Sequence, residues 1–474
     1  MPAGRARSKT APGPHDPGAR AQSPIARMLA NTAWLLGGKG FGAICGIAYL
    51  AILTRSLGLK GFGHFSLIFG TSQALVALAG FQTWRVVVRY GAAHVHAGDW
   101  RGFGQLGMLC GMIDAAGAAV GCVLSGVVIY GFGDMLGINP GYRDLAFLFN
   151  CAMLWALVSA PTGIVRALDR FDMAVYVEAL VPIGRLGAAI AISLTGPTVG
   201  RFLFAWAVVD LLEAACYWAM ARWLCPKAVR LRHARNWRQA LRDNPGIERF
   251  FAITYAGATL DAAMRSGPLL AVGGLVGTKA AGLYRLSNQV SQAMSKLSTL
   301  LTRAVYAEVN RARVAAEAGE FRRLARQTSI VAAAAGAAVV ALAVAIGKPI
   351  LILLGGEDFA RGYPILVPLT VAAAFDLASV AFEPVLHSTG HAQYSLAARL
   401  MAVVVMAATL VLTIEPYGAV GAAWAVAAGG LVSYLAMGIM ARRTLHAVSR
   451  ASGTDSRGGA DATLDETMGD QPRD

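Results

Sequence analysis

Apolar runs of about 18 to 30 residues follow one another along nearly the whole of this sequence, separated by short polar or basic loops. Each run is long enough to cross a hydrocarbon core of about 30 Å as a helix. Inside lipid the backbone must satisfy its own hydrogen bonds, and a run of this length does so as an α-helix. Only 15% of the residues are charged and 56% are hydrophobic, whereas soluble domains carry about 25% charged residues. A soluble globular fold is therefore excluded, and the sequence predicts an all-α polytopic membrane protein.

The runs place spans at about Asn31–Arg55, Gly61–Trp84, Phe103–Tyr130, Leu145–Ile164 (with Pro161 inside it), Ala174–Leu194 and Arg201–Leu224. A second set follows at about Phe250–Val276, Ala280–Val305, Ile330–Leu354, Tyr363–Leu386, Ser395–Ile414 and Gly418–Met440, for about twelve transmembrane helices. Residues 1–30 and 444–474 read as disordered cytoplasmic tails, 31–225 and 250–443 as two six-helix halves, and 226–249 as a basic linker.

The formal net charge of +15 would suggest nucleic acid in a soluble protein. Here the tails and even-numbered loops hold roughly 28 of the lysines and arginines and the outer loops about 7, which the positive-inside rule explains with both termini cytoplasmic and no nucleic acid. The most basic stretch, Arg222 to Arg249, contains Lys227, Arg230, Arg232, Arg235, Arg238 and Arg242 around Trp237. It reads either as an amphipathic segment on the anionic leaflet or as a plain positive-inside anchor. The six cysteines are scattered without a CxxC pair and read as small packing residues.

One short stretch occurs twice. Gly58, Lys60, Gly63 and Leu67 match Gly277, Lys279, Gly282 and Leu286 without a gap, at an offset of about 219. Gly200 and Ala205 to Val208 match Gly418 and Ala423 to Val426 in the same order. Six helices per unit is an even number, so the halves share one orientation and are expected to be related by a parallel pseudo-two-fold repeat. The repeated stretches fall at outer turns, where glycine permits the reversal, and are expected to bind nothing themselves. In this register Ser66 and Gly70 correspond to Arg285 and Gln289, so the charge lies mainly on the second copy.

Charges inside a span cost several kcal/mol unless they face protein or water, so each is a functional candidate. Arg285, Gln289, Gln292, Lys296, Thr299 and Arg303 follow a three-and-four spacing and share one helix face, a candidate cationic cavity wall. Same-helix spacing pairs Asp261 with Arg265 and Glu178 with Arg185, and puts Asp210 with Glu213 and Asp376 with Glu383 and His387 on common faces. These carboxylates are candidates for coupling transport to H+ or Na+, Asp261 first among them, or serve as static counter-ions. There is no GxxxxGK[ST] phosphate loop, no HExxH or GxSxG, and no Cys/His metal spacing. The longest outer connection, about Gly131 to Asp144, is too short for an enzyme domain, so neither an enzyme nor a cofactor is expected.

The segments Asn31-Thr-Ala-Trp-Leu-Leu-Gly-Gly-Lys-Gly, Leu53-Thr-Arg-Ser-Leu-Gly-Leu-Lys-Gly-Phe-Gly, Leu354-Gly-Gly-Glu-Asp-Phe359 and Pro416-Tyr-Gly-Ala-Val-Gly-Ala-Ala-Trp424 resemble those of bacterial polysaccharide and O-antigen flippases. The resemblance covers nearly everything from Asn31 to Arg443. It implies the multidrug/oligosaccharidyl-lipid/polysaccharide exporter fold, a bacterial inner-membrane location, and movement of an undecaprenyl-diphosphate-linked oligosaccharide between leaflets, alongside a polysaccharide polymerase or export machinery. For such a cargo Arg285, Lys296, Lys39, Arg85 and Arg89 offer cations to the diphosphate, and Asn288, Gln289, Gln292 and Gln73 offer amides to the sugars. A cation-coupled multidrug antiporter of the same superfamily and a non-transporting membrane protein of envelope synthesis are the competing readings.

Overall fold

The computed structural model describes residues 24–311, 320–379, 382 and 392–466, and among these there is no strand. Eight stretches are long and apolar enough to cross a membrane. Two of them are too long for one crossing: Gly40–His96 has 57 residues and Tyr394–Arg443 has 50, whereas about 20 helical residues suffice.

Both long stretches are interrupted at a glycine. Helix α1 (Pro24–Ala79) leaves helical geometry at Gly58 (φ 62°, ψ 179°). The last helix, α13 (Ala392–Glu466), does so at Gly418 (φ 57°, ψ −134°). These φ values lie in the region that side-chain-bearing residues avoid, so the break is written into the sequence. Between them run α2 (Thr83–His96), α3 (Trp100–Gly126), α4 (Arg143–Trp155), α5 (Ser159–Ala167), α6 (Phe171–Thr195), α7 (Val199–Leu224), the short α8 (Trp237–Asp243), α9 (Ile247–Ala271), α10 (Thr278–Arg311), α11 (Glu320–Gly355) and α12 (Tyr363–Ser379). Helices α9 and α10, which carry Asp261, Arg265, Arg285 and Lys296, are not among the eight apolar stretches.

Two expected spans are not continuous. The second breaks at residues 80–82, where Gln82 takes a left-handed conformation (φ 52°, ψ 34°), and resumes as α2. The fourth breaks after Trp155 and resumes as α5, placing Pro161 in the first turn of a new helix, where its missing N–H costs nothing.

The main core spans both halves. Phe62, Phe65, Ile68 and Phe69 of α1 pack with Phe202, Leu203 and Trp206 of α7, Leu286 and Val290 of α10, and Leu351 and Leu354 of α11. Phe65 meets Trp206 edge-on at 5.9 Å, and Tyr49 does so at 5.4 Å.

The repeated stretches touch each other. A Cβ on Gly63 would collide with the backbone carbonyl of Thr278, and one on Gly282 would sit 3.0 Å from the carbonyl oxygen of Leu59 and 3.2 Å from the Gly63 nitrogen. Each copy thus makes room for the backbone of the other, a reciprocal contact of the kind a two-fold relation produces. The stretches thus do more than reverse the chain: they pack against each other. The same end of the molecule is closed further where Gly137 lies against the Gly273 carbonyl and Gly274 against the Met135 carbonyl. The Thr54 hydroxyl also donates to the Leu354 carbonyl at 2.7 Å.

Candidate functional site: two arginines on one ring

Phe69 lies eleven residues beyond the Gly58 break, roughly 16 Å along the helix and so about half-way through a hydrocarbon core. Two guanidinium groups stand over its ring: Arg285 of α10 at 5.2 Å and Arg185 of α6 at 5.8 Å. Arg185 also stands 5.6 Å from the Trp206 ring. Aromatic faces attract cations, and the attraction grows where water is excluded.

The two arginines differ in what else they hold. Arg185 is bound to Asp210 of α7 at 2.7 and 2.8 Å, with both side chains only 12% exposed. Arg285 has no carboxylate or hydrogen-bond partner among the described residues. Such a charge inside a span is tolerable only beside water or an anion. A phosphate offers a guanidinium the paired, charge-assisted hydrogen bonds that Phe69 cannot supply.

Ion pairs form across helices rather than along them. Glu178, expected beside Arg185, instead lies 3.4 Å from Arg166 and accepts from the Tyr217 hydroxyl at 3.3 Å. Glu213 is within electrostatic reach of Asp210, Arg185 and Glu178. Asp261, expected beside Arg265, reaches Arg399 of α13 at 2.7 Å. Asp376 is within electrostatic reach of Arg265, Asp261 and Arg399.

The other cargo candidates spread out from Arg285. Asn288, Gln289 and Gln73 are half-buried, while Gln292, which donates to Asn288 at 3.4 Å, and Lys296 are exposed on the same α10. Arg85 and Arg89 lie far from Arg285 in sequence and stack elsewhere, Arg85 on Trp84 at 5.3 Å and Arg89 on Phe250 at 4.5 Å. The side chains of Lys39, Thr299 and Arg303, and residues Glu383 and His387, lie outside the described residues.

Asp114 is absent from the sequence candidates, yet it is the most thoroughly bonded carboxylate in the first half. It sits in α3, 7% exposed, accepts from the Thr83 hydroxyl at 2.8 Å and from the Ala160 backbone N–H at 2.8 Å. The Thr83 hydroxyl meets Ser159 at 2.9 Å, and Ser159 accepts from the Trp84 N–H at 3.0 Å. Asp114 therefore caps the start of α5 directly and holds the Thr83 hydroxyl at the start of α2, whose Trp84 N–H is capped by Ser159. The signal was available: a lone carboxylate in a 27-residue helix otherwise free of charge beyond its first turn.

The profile of the family described as "Polysaccharide biosynthesis protein" matches residues 28–306, more than half of the chain. The chain belongs to this family. It is similar to the Inner membrane protein YghQ of Escherichia coli (strain K12), with 24% identity over 346 residues, covering 72% of this chain and 95% of that protein. Among solved structures it is similar to the inward-facing conformation of a multidrug resistance MATE family transporter of the MOP superfamily, with TM-score 0.68 and 14% identity over 87% of this chain and 96% of the other. It is also similar to the lipid II flippase MurJ in an inward closed conformation, with TM-score 0.62 and 10% identity over 87% of both chains. At these identities the likeness is one of fold, and it matches the fold that the resemblance implied.

Proposed function

We propose that the protein is a flippase of a bacterial inner membrane, carrying a lipid-diphosphate-linked oligosaccharide from the cytoplasmic to the outer leaflet by alternating access. In this reading the chain makes twelve crossings in two six-helix halves around a parallel pseudo-two-fold axis, with both termini cytoplasmic. The observation that carries it is Arg285, a mid-membrane cation set on Phe69 where α10 meets α1, with no carboxylate or hydrogen-bond partner among the described residues. Arg185 stands on the same ring, held by Asp210, and adds a second positive field without competing for a carboxylate on Arg285. The diphosphate binds there, the half-buried amides of Asn288, Gln289 and Gln73 face the first sugars, and the lipid tail stays in the bilayer. Asp261, paired to Arg399 yet partly exposed, carries the coupling proton in this scheme.

The reading is tested in proteoliposomes loaded with a fluorescent undecaprenyl-diphosphate oligosaccharide, by counting label that becomes accessible on the opposite leaflet. Arg285→Gln is expected to lower the rate at least about tenfold, with Arg285→Lys retaining part of it, because a point charge replaces only some of a bidentate contact. An unchanged rate for Arg285→Gln sinks the reading. Drug efflux by the same vesicles, insensitive to Arg285, would move the assignment to a multidrug antiporter.

A further inference from the structure

The basic linker is built into the fold. Ala228, Val229, His233 and Ala240 are 2%, 8%, 6% and 2% exposed. The linker closes on the start of α3 because Gly104 lacks a side chain: a Cβ there would lie 2.6 Å from the Ala228 carbonyl oxygen and collide with the His233 ring. Between these parts lies a cavity of about 730 Å³, lined by Trp100, Arg101, Gln105, Lys227, Arg230, Arg232, His233, Arg235 and Asn236.

Five of those side chains are permanent cations and none is a carboxylate. None of the five makes an ion pair among the described residues. The positive-inside rule asks for basic loops, not for cations converging on one cavity, and five like charges around a shared space repel unless an anion joins them. The inner lining is polar too. Gln105 is 2% exposed and makes no side-chain hydrogen bond among the described residues, and the buried His233 Nδ1 has no partner. Burial, together with Arg232, Arg230 and Arg101, holds the His233 imidazole below its ordinary pKa, so the ring is neutral at physiological pH.

The cavity sits where two apolar stretches end, one beginning at Trp100 and the other closing at Leu224. Trp223, in the last turn of α7, is 67% exposed, and Trp237 is 40% exposed with Arg238 5.3 Å from its ring. Exposed tryptophans at this level mark the headgroup layer. We infer that this cavity binds the phosphate-bearing headgroup of an anionic phospholipid, its acyl chains running down the membrane-facing surface beside Trp223. Arg230, Arg232, Arg235, Arg101 and Lys227 hold the phosphate oxygens, and Gln105 donates its amide N–H to the glycerol or phosphate oxygen that reaches deepest. The site is separate from the two-arginine site on Phe69 and stands whether or not that one moves a glycan.

The test titrates the purified full-length protein in neutral detergent with tetraoleoyl cardiolipin and with dioleoyl phosphatidylcholine, counting bound lipid by native mass spectrometry. Cardiolipin is expected to bind at least about tenfold more tightly. Arg230→Gln/Arg232→Gln/Arg235→Gln should weaken it about tenfold, while Arg238→Gln/Arg242→Gln/Arg249→Gln, with the same change in charge outside the cavity, should weaken it less than about twofold. Gln105→Glu keeps the side chain's shape and the protein's insertion signals, and should also cost about tenfold. Equal losses from the two triple variants, or no loss from Gln105→Glu, would overturn the site. Binding of inorganic pyrophosphate without binding of cardiolipin would overturn the lipid as its occupant.

Discussion

The first and second halves of the sequence handle their internal charges differently. In the first half the most buried charges are closed off: Arg185 is bound to Asp210 with both 12% exposed, and Asp114 accepts from the Thr83 hydroxyl and the Ala160 N–H, while Glu178 and Arg166 pair with 39% and 30% exposure. In the second half they are accessible. Asp261 and Arg399 pair with 40% and 22% exposure, Lys296 is exposed, and Arg285 holds no carboxylate among the described residues. The first half closes its most buried pair, whereas Arg285 of the second half rests on Phe69 of the first without a carboxylate among the described residues.

The comparison breaks most sharply at Asp210. Asp210→Asn leaves Arg185 buried without its counter-charge and next to Arg285, and is expected to cost about 3 kcal/mol of folding stability. Thermal unfolding of the detergent-purified protein measures it, and Arg185→Gln added to Asp210→Asn should restore much of the loss. Additive losses in the double variant would show that the two do not act as a pair.

A smaller effect, about 2 kcal/mol, is expected for Asp114→Ala, which orphans the Ala160 N–H and leaves the Thr83 hydroxyl only Ser159. Hydrogen exchange should rise at the first turns of α2 and α5 together. A rise at only one of them would show that the two breaks are independent.

The smallest structural effect belongs to the second half. Asp261→Asn removes a partly exposed pair and should cost less than about 1 kcal/mol of stability. Its consequence should appear in transport instead, as a rate that no longer responds when the proton gradient is collapsed. A stability loss matching that of Asp210→Asn would erase the distinction between the halves, and an intact gradient response would remove Asp261 from coupling.

The membrane-spanning helices were legible because each is a property of a single segment: hydropathy marks a span and glycine marks a turn. Arg285 was legible for the same reason, as a charge within an otherwise crossing helix. The ion pairs were not, because spacing along one helix says which side chains share a face but not what the neighbouring helix presents. Arg185 passes over Glu178 for Asp210, 25 residues away, and Asp261 reaches Arg399, 138 residues away. The breaks at residues 80–82 and 156–158 escaped for a related reason. Gly80 and Pro161 hint at them, but the helix starts are tied together by Ser159, which accepts from the Trp84 N–H, and by Asp114 of a third helix, which accepts from the Thr83 hydroxyl and the Ala160 N–H.

The contact between the repeated stretches has one further consequence. Gly63 and Gly282 meet through main-chain atoms, and main chain has no rotamers. A joint lined with long side chains can leak, one group swinging aside while its neighbours stay put. This joint has nothing to swing. Any widening at that contact therefore moves main chain against main chain rather than one side chain at a time.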